Sequence, residues 1–147
     1  MIKSLHARHH QLANQQRQVE ILANGIFQSG RLPTFKTKIE TTGQFPLKPS
    51  AIEIFQVNVG YMCNQVCKHC HVDAGPDRQE IMSRKTMQQC LDVLTNAGIK
   101  TLDITGGAPE MNPDFRWFVG EAKKTGVHEI IVRSNLTIIT ANPKYHD

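Results

Sequence analysis

Between residues 51 and 135 the apolar positions switch period four times, and this rhythm limits the folds open to the chain more than any single motif. "AIEIFQVNV" (51–59) alternates and is β-branched, so it reads as a strand. From about Ser83, Met87, Cys90, Leu91 and Leu94 recur on one helical face. Thr101–Thr105 of "KTLDITGG" give a second strand. Asn112 as N-cap with Pro113 at the first helical position then starts a helix bearing Phe115, Phe118, Val119 and Ala122. "HEIIVRSN" (128–135) is the third strand. Strand, helix, strand, helix, strand with short connections means an α/β chain of right-handed parallel βαβ units. In such folds the functional loops sit beyond the carboxyl ends of the strands.

At 147 residues the chain has the length of one domain, divided by pattern into 1–50 and 51–147. Residues 4 to about 28 read as an N-terminal helix with Leu12, Val19, Leu22, Ala23 and Ile26 on its apolar side. The Pro-, Gly-, Ser- and Thr-rich stretch 29–50 reads as an extended lead-in. The net charge of +4 is scattered among acids and forms no stripe for nucleic acid. No apolar run is long enough for a signal peptide or a membrane span, so a reducing cytoplasm is the expected compartment. His6, His9 and His10 could bind a metal on one helical face, although polar histidines near a terminus are usually inert.

Three unusual loops follow the three strands: "GYMCNQVCKHCHVDAGP" (60–76), "GGAPE" (106–110) and "SNLT" (134–137). The first holds three of the four cysteines, Cys63, Cys67 and Cys70. Thiolates at this spacing can wrap one face of a soft-metal centre, and a four-iron cubane held by three of them keeps one iron open to an exogenous ligand. Two other chemistries fit part of the string. Zinc could take the three cysteines with His71, though structural zinc sites usually draw on two separated pairs. "CKHCH" also fits the c-type haem attachment motif, which needs an exported chain and leaves Cys63 idle. Cys90, on the apolar stripe of a helix, reads as a small hydrophobe, and Trp117 points off the stripe of its own helix.

"CNQVCKHC" matches the CxxxCxxC motif of the radical S-adenosylmethionine (radical SAM) superfamily, and it follows the first strand of a βα array as that superfamily requires. The strings "VNVGYMCNQVCKHCHVDAGPDRQEIM", "DITGGAPEMNPDFRWFV" and "VRSNLT" resemble the radical SAM/Cys-rich proteins associated with arsenosugar biosynthesis, from about Ile52 onward. The resemblance implies a partial (βα) barrel with three of the usual six strands, without the later strands or the cysteine-rich region of full-length relatives. It further implies a [4Fe-4S] cluster on Cys63, Cys67 and Cys70, with the amine and carboxylate of SAM on the open iron, and reductive cleavage of SAM to a 5′-deoxyadenosyl radical. Contacts to SAM would come from His69 near the adenine, from Gly106 and Gly107 with Glu110, and from Ser134 and Asn135. The usual Gly-Gly-Glu is interrupted here by Ala108 and Pro109. No residue is assigned a catalytic role of its own. The implied substrate is a methylated arsenic species and the implied reductant a flavodoxin or ferredoxin. Two alternatives remain open: a non-catalytic iron–sulfur or zinc module, and one half of a split enzyme completed by another chain.

Overall fold

In chain order the elements are α1 (Gln15–Asn24), α2 (Phe35–Glu40), β1 (Ile54–Asn58), α3 (Arg84–Ala97), β2 (Thr101–Thr105), α4 (Phe115–Ala122), β3 (Glu129–Val132) and α5 (Thr137–Ala141). They are seen in a computed structural model that describes residues 3–24 and 33–146. Residues 9–51 form one unit, and residues 1–8 with 52–147 form a second.

The expected α/β architecture is present in the second unit. The three strands make one parallel sheet in the order β1-β2-β3, with Val57 opposite Ile104 and Asp103 opposite Ile131. Alternation along each strand divides the residues between the two faces. Val57, Val59, Leu102 and Ile104 pack with Met87, Leu91 and Leu94 of α3 and Phe118 and Ala122 of α4 into one buried core. Cys90 and Trp117 are half-buried against this core, and the Arg84 guanidinium lies 4.1 Å over the Trp117 ring. Ser83 begins α3 by accepting the Thr86 N–H at 3.3 Å, a capping bond at the position where the sequence places the helix start.

Asn112 does not cap α4, as the sequence suggests, because its side chain has other partners to satisfy. Its amide donates to the carbonyls of Val59 and Met82, both at 3.0 Å, and its Oδ1 accepts the Asp114 N–H at 2.9 Å. It is 4% exposed, and it ties the end of β1 to the segment leading into α3. Asp114 stands at the N-cap position without a side-chain capping bond, and Pro113 precedes the helix instead of opening it.

The N-terminal reading also needs correction. His9 has φ 51°, which a right-handed helix cannot accommodate, so the expected helix over 4–28 is broken. A 3-10 turn follows at Gln11–Ala13, and Asn14 Oδ1 accepts the Arg17 N–H at 2.9 Å to begin α1. Val19 is exposed, while Ile26, residues 25–32 and the side chains of Leu12, Leu22 and Ala23 lie outside the described residues. The expected extended lead-in contains the short helix α2, because the Thr34 hydroxyl accepts the Thr37 N–H and supplies a cap that the Pro- and Thr-rich composition obscures.

The sheet face opposite the helices is polar. Asp103, 3% exposed, accepts two bonds from Arg133 Nε and one from Arg133 Nη2 at 2.8–3.1 Å, and one from Gln56 Nε2 at 2.7 Å. The adjacent guanidinium holds the Asp103 carboxyl below its ordinary range. Removing only the cation leaves the buried Asp103 carboxylate with Gln56 as its one side-chain donor among the described residues, so Arg133→Met should lower the urea-unfolding midpoint. Adding Asp103→Asn should restore part of that loss, and a double variant whose loss equals the sum of the two single losses would show that the pair carries no coupling.

Candidate metal centre at the carboxyl end of the sheet

The loop after β1 is held by two isolated backbone bridges, an antiparallel one between Gly60 and Ile81 and a parallel one between Met62 and Gly75. Tyr61 N–H donates to Glu80 O at 2.8 Å, Gly75 N–H to Tyr61 O at 3.1 Å, and Cys63 N–H to Gly75 O at 3.2 Å. The opposite edge of this short ladder receives the second loop, where Gly107 N–H donates to Gly60 O at 2.8 Å and Ala108 N–H to Met62 O at 2.9 Å. That approach is why two glycines stand at 106 and 107. Gly106 has φ 156°, and a Cβ there would lie 2.8 Å from Gly60 O, while a Cβ on Gly107 would overlap the Met62 carbonyl.

The ladder presents the three cysteines at different depths. Cys63 is buried, Cys70 half-buried and Cys67 exposed. Cys63 Sγ accepts the Gln65 N–H at 3.4 Å and the Asn135 amide at 3.5 Å, and Cys70 Sγ accepts the Ala74 N–H at 3.3 Å. Burial pushes the Cys63 thiol above its ordinary value of 9.0. The Gln65 and Asn135 donors pull the other way, while Cys67 and Cys70 lie near enough to push it further up. A second apolar cluster unites the loops: Cys63 and Ala74 from the first, Ala108 from the second and Ile138 from α5, with Cys70, Val72 and Met111 against them.

The N-terminal residues belong to this site, a contact for which the sequence carries no local signal. Ser4 is fully buried, with its N–H and hydroxyl both donating to Asp77, at 3.3 and 2.7 Å. Asp73 accepts the N–H groups of Leu5 and His6, each at 2.6 Å. Arg78 locks the same corner. It donates to the Asp73 carbonyl at 2.8 Å, pairs with both Glu80 oxygens at 2.8–3.1 Å, and stacks 4.7 Å from the Tyr61 ring centre.

Among the described residues, no three His, Cys, Asp or Glu side chains are grouped so as to hold one metal ion. A mononuclear zinc site would bring its thiolates to about 3.8 Å of one another, from Zn–S bonds near 2.3 Å in a tetrahedron. A cluster asks less of the chain, since each cysteine binds a different iron. The donor set fits that demand: thiols only, on one loop, two of them already receiving N–H···S bonds. Glu110 offers a second fitting observation. Its Oε2 is buried with no hydrogen-bond partner among the described residues, a costly position for a carboxylate unless a donor arrives. His69 is exposed, and the Ser134 hydroxyl accepts the Leu136 N–H at 3.0 Å. Asn135 is turned toward Cys63, Asn64 and Thr137.

Two outcomes test this construction. Gly107→Ala forces apart the two loop backbones and should lower stability by about 1–3 kcal/mol in denaturant unfolding, whereas an unchanged midpoint would mean the contact is absent. Glu80 is held at about 2 against an ordinary 4.5, chiefly by hydrogen bonds from Arg78, so the folded chain favours its charged form. That contribution is complete above about pH 4.5 and is lost as the pH falls toward 2. Melting temperatures measured across this window should therefore fall less steeply for Glu80→Gln, which lacks the titrating group.

No family model matches the chain. It is 26% identical over 90 residues to a probable GTP 3′,8-cyclase of Sulfurisphaera tokodaii, covering 61% of this chain and 29% of that protein. The like-named proteins of Sulfolobus acidocaldarius and Methanothermobacter marburgensis are 24% and 26% identical over 84 residues, covering 57% of this chain and 27% and 28% of theirs. The chain thus spans less than a third of the length of the curated relatives it matches. Among the described residues no helix is long and apolar enough to cross a membrane. The likeness to these cyclases supports the radical SAM superfamily at the level of the superfamily, and it does not extend to the arsenosugar-related group.

Proposed function

We propose that this chain is the cofactor-binding part of a radical SAM enzyme, with Cys63, Cys67 and Cys70 holding a [4Fe-4S] cluster. The observation that carries the reading is the three-cysteine loop, held by backbone bridges at the carboxyl end of a parallel sheet and joined there to a Gly-Gly loop followed by Glu110, whose Oε2 is buried with no hydrogen-bond partner among the described residues. When bound, the cluster supplies one electron for reductive cleavage of the SAM sulfonium, the chemistry by which the superfamily makes a 5′-deoxyadenosyl radical.

The chain's own residues have distinct tasks in this reading. The N–H groups of Gln65 and Ala74 offset the charge of the Cys63 and Cys70 thiolates. Glu110 receives a cationic donor, for which the SAM amino group is suited, and the adjacent Gly106–Gly107 turn lets that group approach the backbone. His69, exposed on the same loop as the cysteines, is free to meet the adenine, and Ser134 borders the site from the third loop. The division of the chain into residues 1–50 and a core from 51 belongs to the same reading, with residues 4–8 returning to the core.

Substrate and partners rest on resemblance. The strings that resemble the radical SAM/Cys-rich proteins point to a methylated arsenic species as acceptor of a deoxyadenosyl group, with a flavodoxin or ferredoxin as reductant and a complementary chain closing the substrate pocket. The nucleotide in the relatives' names stays with those relatives, since so little of their length is matched.

Anaerobic reconstitution with ferrous iron and sulfide should give about four irons per chain, the complement of one cubane. Alanine at Cys63, Cys67 or Cys70 should abolish that uptake. Added SAM should change the electron paramagnetic resonance signal of the reduced protein, and Glu110→Gln should weaken this response about tenfold in SAM concentration while leaving iron content intact. Zinc alone, or a cluster signal indifferent to SAM, would favour the non-catalytic module and overturn the enzyme reading.

A further inference from the structure

Asn135 lies beyond β3, 72 residues from Cys63 in sequence, yet its side chain reaches that sulfur. The orientation of its amide follows from its neighbours. Oδ1 accepts the backbone N–H of Thr137 at 2.9 Å, and a backbone N–H can only donate, so this end must be the oxygen. The Thr137 hydroxyl donates to the same oxygen at 2.8 Å. The NH2 end is thereby directed to Asn64 Oδ1 at 3.1 Å and to Cys63 Sγ at 3.5 Å. Asn64 closes the ring by donating its own amide to the Thr137 hydroxyl at 3.0 Å. Both hydrogens and both lone-pair directions of the Asn135 amide are occupied, which leaves it no capacity for a ligand.

The other N–H···S donors, Gln65 and Ala74, come from the cysteine loop itself and are fixed by its backbone. Asn135 is different. It is a side chain on a separate loop, and it gives the most buried of the three loop cysteines a second donor. Hydrogen bonds to cluster sulfurs favour the reduced form, because the added electron increases the charge on the ligating sulfur.

We propose that Asn135 is a positioning residue of the cysteine centre: its amide hydrogen bond to Cys63 raises the reduction potential of the bound cluster and links the third loop to the ligand set, in place of a contact to SAM. The proposal rests on the cluster reading above. It assigns the residue a task opposite to the one that resemblance implies, since the amide faces sulfur and protein groups.

The test uses the full chain, purified without oxygen and reconstituted with ferrous iron and sulfide, then titrated with dithionite in the absence of SAM while the reduced signal is followed. Asn135→Asp keeps the oxygen that Thr137 requires and replaces the donor facing Cys63 with an acceptor. It should retain wild-type iron content and show a lower midpoint, by about tenfold in the reduction equilibrium, which for one electron is about 59 mV. Asn135→Leu, which removes the amide without adding charge, should shift in the same direction by less. Unchanged midpoints at full iron content would overturn the proposal and leave the cluster reading standing, as would a change confined to the response to SAM. A wild-type chain that takes up no iron would overturn both.

Discussion

The carboxyl end of the sheet depends on two stretches of backbone lying closer together than any side chain would allow. Gly106 and Gly107 face Gly60–Met62 at hydrogen-bond distance, and the cysteine ladder is thereby held on both edges, by residues 75–80 on one side and 107–108 on the other. A cysteine loop is otherwise a poor scaffold, since few of its residues can be buried and its backbone groups must find partners outside regular structure. Here those partners are other loops. The position of Cys63 is consequently set by residues more than forty positions downstream as well as by its own neighbours.

Charge is arranged at the same corner with comparable economy of parts. Asp73 and Asp77 would repel each other and the thiolates if left bare. Asp73 instead faces the N–H groups of Leu5 and His6 and the Arg78 guanidinium, while Asp77 faces Ser4. The N-terminal segment therefore supplies donors to the loop, as a helix N-terminus does for an anion, but without a helix behind it. Arg78 is in turn neutralised by Glu80 and covered by Tyr61, so its charge is directed into the loop's backbone and acidic corner.

Sequence pattern revealed the elements that obey one period and obscured those that depend on distant partners. β1, β2, β3, α3 and α4 follow from alternation and helical stripes because their buried faces are continuous along the chain. Asn112 was legible as a helix signal, since Asn before Pro commonly is one, but two carbonyls at Val59 and Met82 claim its amide. α2 is not legible in the sequence because its cap is a single threonine in a segment whose composition suggests a loop. At the candidate site, the cysteines and the two glycines stand out by type and spacing. The burial of Ser4 and the reach of Asn135 to sulfur do not, because no short-range pattern records a contact across 72 or 73 positions.

The three sulfurs are graded in exposure, and that grading bears on how a centre could assemble. Cys63 is buried beside two other thiols, and that burial raises its pKa above the ordinary value and so favours the neutral thiol. Cys67 is the exposed member of the three, and in the cluster reading proposed above it would be the accessible point of first contact for iron. A metal–sulfur bond at Cys63 would replace its proton with a cation and so offset the burial that disfavours the thiolate. The N–H donors already directed at Cys63 and Cys70 mean that little reorganisation is needed once charge appears on those sulfurs. In the cluster reading proposed above, these fixed dipoles would favour the metal-bound form.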